Sequence, residues 1–224
     1  MNRRLIIVCI AVVVLAVTAL VIGGCGVSEK KESAQGKSST PASTPASTPS
    51  AQSSPTIQGI AKLSDFPDGQ DGANVEAVIK TDKGNIVLTF FPDVAPVTTA
   101  SFIHLSRTGF YNGTTFHRVV PDFVIQGGDP LSKNPNDPNV GTGGPGYSLP
   151  AEFNSKPHQE GTLAMARSQS PTSGGSQFYI CLAAQPSLDG QYTVFGQVAS
   201  GMDVVKQIKQ GDVIREITIQ PKAQ

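Results

Sequence analysis

From Ala73 onward the chain is a succession of short apolar runs, each closed by a turn signal, and this spacing is the strongest constraint on its fold. Val75 to Thr81 partly alternates, Asp82-Lys83-Gly84 marks a turn, and Ile86 to Phe91 returns as a second strand. Further strand candidates lie at 114–119, 123–127, 162–166, 177–182, 193–198 and 213–219, which with the hairpin makes eight. Pro96 suits the first turn of a helix, and Thr98, Phe102 and Leu105 then fall on one face as far as about Arg107, before Gly109. A second helix is expected over Met202–Lys209. Many short strands with two helices indicate a mainly β domain. It is either a closed antiparallel barrel with the helices over its open ends or a sandwich, and periodicity alone does not choose between them.

The residues before 73 cannot join that core. Met1-Asn2-Arg3-Arg4 is a short basic start, Leu5 to Ile22 is almost unbroken apolar sequence, and Gly23-Gly24-Cys25 follows, the pattern of a secretory signal over 1–24. Val21-Ile22-Gly23-Gly24-Cys25 resembles the bacterial lipobox, which implies that Cys25 becomes a diacylglycerol-modified N-terminus, two acyl chains being enough for stable anchoring. The alternative is an uncleaved span, since the apolar run is just long enough to cross a bilayer. Either reading places the rest extracytoplasmically, at the cell membrane. Residues 25–72 are rich in Ser, Thr, Pro, Ala, Gln and Lys, with a four-residue period over Thr40–Pro49. Such a stretch buries too little apolar surface to offset its ordering entropy and reads as a disordered tether. As a flexible coil it would reach about 35–40 Å. Ile57, Ile60, Leu63 and Phe66 hint at an ordered approach to the domain.

Several chemistries are excluded. Lys+Arg and Asp+Glu are both 17, and no basic block stands out, so no nucleic-acid partner is expected. The three cysteines, Cys9, Cys25 and Cys181, sit in unrelated contexts and imply no disulfide. His104, His117 and His158 show no metal-ligand spacing, so no metal is expected. Gly141 to Gly146 lacks the Gly-Lys-Ser/Thr ending of a phosphate loop, and Pro145 removes a donor. It reads as a flexible surface loop, and no cofactor is expected. Gly174-Gly175-Ser176-Gln177-Phe178 misplaces the serine for a nucleophile elbow.

What recurs is apolar or aromatic residues beside neutral amides and one arginine. Arg118 stands in a strand-like run, followed by Phe123, Val124 and Gln126. A guanidinium keeps its charge, so there it either caps a structural network or faces a pocket that uses it. Met165-Ala166-Arg167, Gln177-Phe178-Tyr179 and Leu188-Asp189-Gly190-Gln191-Tyr192 repeat the pattern. Together they suit a groove for an uncharged, extended peptide.

Over residues 75–220 the chain resembles the cyclophilin-type peptidyl-prolyl cis–trans isomerases. The resemblance rests on ordered motifs: Ala95-Pro96-Val97-Thr98 with Phe102, Phe116-His117-Arg118-Val119-Val120-Pro121 with Phe123 and Gln126-Gly127-Gly128-Asp129, Gly161 to Ala166, Gly175-Ser176-Gln177-Phe178, and Leu188-Asp189-Gly190 with Val194-Phe195-Gly196. It implies a cyclophilin-like eight-stranded antiparallel barrel capped by two helices over 73–224. It also implies action on proline-containing polypeptides without a cofactor, and nothing in the sequence demands more than a monomer. By the same resemblance Arg118 is catalytic, Phe123 lines the proline pocket with Val124, Tyr179 and Leu188, and Gln126 and Gln177 hold the substrate. The backbone of Ala166 and Arg167 pairs with the peptide. Tyr179 stands where a phenylalanine is usual, Tyr192 where many members have a histidine, and Ser187 where many have the tryptophan that contacts cyclosporin, so tight cyclosporin binding is not expected. These departures leave a peptide-binding module without catalysis as the competing expectation.

Overall fold

The computed structural model describes residues 59–222. The expected signal peptide, Cys25 and the tether as far as residue 58 lie outside them. Eight strands form one antiparallel sheet: β1 Val75–Thr81, β2 Gly84–Phe90, β3 Arg118–Val120, β4 Val124–Gly127, β5 Thr162–Met165, β6 Phe178–Cys181, β7 Val194–Ser200 and β8 Glu216–Pro221. The strand order is β3-β4-β6-β5-β7-β2-β1-β8. The two outer strands are joined through the residues that precede them. Thr115 bridges Val213, the N–H of Ile214 donates to the carbonyl of Thr114 (2.8 Å), and that of Phe116 to Asp212 (2.9 Å). The seam therefore closes the curl into a barrel, and among the described residues it leaves no long unpaired edge. The start of the expected strand 114–119 is spent on this seam, so β3 begins only at Arg118.

Alternation along each strand fills the interior. Ile79, Ile86, Leu88, Ile125, Leu163, Phe178, Ile180 and Phe195 are fully buried there, joined by Phe116 from the seam. Helix α1 (Pro96–Arg107) adds Phe102, whose ring lies 5.2–5.8 Å from those of Phe90, Tyr111, Phe178 and Phe195. Glu152 caps α1, its carboxylate accepting from the N–H groups of Val97 (2.9 Å) and Thr98 (2.8 Å), where an anion complements the unpaired donors of the first turn. Helix α2 (Met202–Gln207) is shorter than expected and buries Val204 and Val205.

The packed chain begins upstream of the expected boundary at residue 73. Two helical turns, Leu63–Asp65 and Pro67–Gly69, flank Phe66, which is fully buried against His104 (5.7 Å) and Tyr147 (5.5 Å). Burying this ring contributes about 1.5–3 kcal/mol, and buried Ala61 with the pairs Asp68–His104 and Asp71–Arg107 helps to hold the segment. Gly69 permits this close approach, because a Cβ there would collide with the carbonyl of Ala100 in α1.

Candidate active site

Residues that alternate with the core build a second surface on the other face of the same strands. Register places Arg118 opposite Gln126, Gln126 opposite Tyr179, Tyr179 opposite Ala164, and Ala164 opposite Val194. Directly opposed side chains lie close enough to touch, so this row is a floor running across five strands. Val124, Ala164, Tyr179, Cys181 and Val194 form a small apolar cluster along it, and Phe123, Ala166, Leu188 and Tyr192 pack against its edge. Above it opens a cavity of about 280 Å³ lined by Arg118, Phe123, Val124, Gln126, Ala166, Arg167, Tyr179, Leu188 and Tyr192. All the expected substrate residues except Gln177 meet there with Arg118. Gln177 lines an adjoining cavity of about 360 Å³, which shares Gln126, Ala166 and Arg167 with the first.

Pro121 and Asp122 turn the chain between β3 and β4, with Asp122 in the left-handed region (φ 58°) and the N–H of Phe123 donating to Val120 (3.1 Å). The turn sets the Phe123 ring centroid 5.6 Å from the Arg118 guanidinium carbon. A relay of neutral amides orients that guanidinium. Nε2 of Gln177 donates to the carbonyls of Gly141 (3.0 Å) and Gly143 (2.9 Å). Its Oε1 therefore faces Gln126, which donates to it (3.0 Å), and Gln126 is left presenting its own Oε1 to Nη1 of Arg118 at 3.4 Å. A bond of that length is weak and leaves the guanidinium's donors available. Among the described residues no carboxylate pairs with Arg118.

The glycine-rich stretch 141–146 is not the free surface loop expected from composition. The buried carboxylate of Asp129 accepts from the N–H groups of Leu131 (2.8 Å), Gly141 and Gly143 (3.4 Å). A Cβ at residue 143 would overlap the carboxylate, so only glycine fits. The pinned loop supplies the two carbonyls that fix Gln177.

On the opposite wall, composition gave no sign of His158. Its buried side chain bonds Asp189 through Nδ1 (2.9 Å) and the Tyr179 hydroxyl through Nε2 (3.0 Å), and its N–H donates to Asp189 (2.7 Å). The ring stacks on Tyr179 at 15°. Asp189 ends the turn that carries Leu188, so one histidine ties the Leu188 turn to the Tyr179 strand. The His158 N–H, then its imidazole, holds the Asp189 carboxyl below the usual carboxylate range. Burial pushes the Tyr179 hydroxyl up, so it remains an O–H donor. His117, beside Arg118, lines a different cavity, with Thr115 and Ser132: neither ring nitrogen has a partner among the described residues, and burial pushes its imidazole down.

The backbone just past the end of β5 completes the groove. The Ala166 N–H donates to Gln177 (2.9 Å), while the Ala166 carbonyl and the Arg167 N–H bond no described residue and are free to pair with an extended chain.

A barrel with a pocket floored by apolar side chains on its outer face, a stretch of unpaired backbone past β5 and two guanidiniums, Arg118 and Arg167, that no described carboxylate neutralises suits an extended peptide. Comparison with known proteins gives the family of the chain. The family model described as cyclophilin type peptidyl-prolyl cis-trans isomerase/CLD matches residues 77–223. The chain is 48% identical over 146 residues to a peptidyl-prolyl cis-trans isomerase of Synechococcus elongatus, covering 64% of this chain and 95% of that one. It is 44% identical over 141 residues to peptidyl-prolyl cis-trans isomerase B of Bacillus subtilis, covering 62% and 93%. A crystal structure of a Cryptosporidium parvum cyclophilin superposes with a TM-score of 0.59 at 27% identity, covering 67% of this chain and 99% of that one. A second, determined in the presence of the dipeptide Ala-Pro, gives 0.56 at 29% identity, covering 66% and 99%. The chain belongs to the cyclophilin-type peptidyl-prolyl cis–trans isomerase family.

Proposed function

We propose that this protein accelerates rotation about X-Pro bonds in exported or surface polypeptides as they fold, while held at the membrane by lipid on Cys25. The observation that carries the reading is the un-neutralised Arg118 beside Phe123 in a cavity of about 280 Å³, whose apolar side chains Val124, Tyr179 and Leu188 leave room for a prolyl ring. Partial double-bond character gives the peptide bond a barrier of about 18–20 kcal/mol. No bond breaks during rotation, so the task is to bind the twisted amide better than either planar form. In the twisted state the nitrogen lone pair localises, and a fixed donor aimed at it is stabilising. Arg118 serves as that donor without any change of protonation. Reaching milliseconds takes roughly 10⁵-fold, or about 7 kcal/mol, more than one hydrogen bond supplies. The remainder falls to positioning: Phe123, Val124, Tyr179 and Leu188 hold the ring, and Gln126 with the Ala166–Arg167 edge holds its neighbours, confining rotation to one segment. With exposed Ser187 at the rim instead of an aromatic, the reading includes weak cyclosporin binding.

The test is isomerisation of a short X-Pro peptide by wild type and Arg118→Ala. Acceleration that falls about 10²–10³-fold in the variant is expected. Peptide binding without acceleration in the wild type would favour a binding module instead. For the anchor, fatty-acid labelling that disappears in Cys25→Ser is expected, and unchanged labelling would remove the lipid from the proposal.

A further inference from the structure

Arg167 stands on the wall shared by the two cavities, and its side chain is fixed in advance. Nε donates to the carbonyl of Gln191 (3.0 Å), and Nη1 to those of Ser168 (2.9 Å) and Gln169 (3.3 Å). The guanidinium carbon lies 4.7 Å from the Tyr192 ring centroid and 5.7 Å from that of Phe153, a large apolar side chain left 38% exposed. A guanidinium has five N–H donors. Those bonds engage Nε and Nη1, and Nη2 bonds no described residue.

The partners that hold Arg167 are carbonyls and rings, which orient the charge without neutralising it. Of the four described arginines, Arg107 and Arg215 pair with carboxylates, whereas Arg118 and Arg167, both in the groove, do not. Asp189, on the same wall, is committed to His158. The amides of the second cavity, Gln126 and Gln177, are likewise committed to each other and to the glycine loop. The unused side-chain donors on this stretch of wall are therefore the two N–H groups of Nη2, on a cation held in place, where a carboxylate oxygen gains a charge-assisted hydrogen bond.

We infer that Arg167 selects proline-containing segments with a carboxylate side chain close to the prolyl bond, its Nη2 group taking the carboxylate of the residue that enters the second cavity. This rests on the isomerase reading above and names the substrate class within it. Arg118 does not duplicate the role, because its donors face the rotating amide.

The test uses the full chain in detergent with end-blocked peptides carrying Glu, Gln or Lys at each of the two positions before and after proline. At one position Glu is expected to exceed Lys about three- to tenfold in kcat/KM. The ratio should shrink as salt is raised, collapse toward one in Arg167→Gln, and invert in Arg167→Glu. Equal kcat/KM for all three side chains at every position overturns the inference, as does a preference that survives Arg167→Gln. A gain confined to peptides with a free C-terminus overturns the side-chain assignment in favour of a terminal carboxylate. Acceleration of the Gln peptides reports separately on the isomerase reading. If no peptide is accelerated that reading fails, and the Glu-to-Lys ratio of Kd from fluorescence anisotropy still decides the role of Arg167.

Discussion

The two faces of strands β3 to β7 are made from alternate residues of the same short segments, yet they are held by different physics. The inner row, Ile125, Ile180 and Leu163, is fully buried hydrocarbon whose position follows from close packing. The outer row, Arg118, Gln126 and Tyr179, is held by directional bonds: an amide relay from the glycine loop on one wall and His158 with Asp189 on the other. A core tolerates different side chains of similar volume, whereas a relay of single bonds tolerates few changes at any link. A slip of one residue in register would exchange the rows. The barrel core therefore fixes the site as firmly as it fixes the fold.

This contrast is open to direct attack, beginning where the effect is largest. Phe178→Ala removes an inner-face ring and should cost about 3–5 kcal/mol in urea denaturation, with activity per folded molecule little changed. Arg118→Lys, on the exposed end of the outer row, should do the reverse. It keeps the charge but loses the planar fork, so kcat/KM should fall by about tenfold or more while the denaturation midpoint stays put. Tyr179→Phe lies between the two, leaving the buried Nε2 of His158 without its hydroxyl partner. We expect a stability loss of about 1–3 kcal/mol and a rise in KM that exceeds the fall in kcat. An unchanged KM would show that the His158 bond does not position the proline pocket.

Asp189→Asn should have the smallest effect, a loss of stability present above about pH 4 that disappears in acid. The folded carboxyl titrates below its unfolded value, so its contribution is complete above the unfolded pKa of about 3.9 and is lost as pH falls through the folded value. Stability measured between about pH 2 and 6 should show an acid limb that is shallower in the variant. Identical limbs would mean that the bond to His158 contributes nothing to folding.

Much of the barrel is legible from alternation alone. Val75–Thr81, Gly84–Phe90 and Pro96–Arg107 lie where turn signals and helical spacing place them. Residues 114–116 misled because a seam of isolated bridges has the same apolar composition as a ladder. The packed segment ahead of residue 73 is faint in the sequence, where Ile60, Leu63 and Phe66 only hint at it, because polar neighbours dilute the signal of the buried Phe66 ring. The groove residues were legible mainly through the ordered motifs of the family, since an outer-face Gln or Tyr looks like any solvent-facing alternate. The pinned loop and His158 stayed hidden for a further reason. Asp129 reaches Gly141 across 12 residues and His158 reaches Tyr179 across 21, and no local period records such pairs. One signal was available: a tyrosine in a strand expected to be buried must find a partner for its hydroxyl.

The short strap ahead of β1 has a mechanical consequence. The N–H of Ala61 donates to Ser148 (2.8 Å) and that of Ser148 to Gly59 (3.0 Å), with the Phe66 plug a few residues behind. A pull on the chain from its N-terminal side loads these two bonds first, then the plug, and reaches the barrel ladder only when both have yielded. For a domain proposed to hang from a lipid, the strap acts as a strain relief: tension along the leash is absorbed before it can alter the register on which the groove depends.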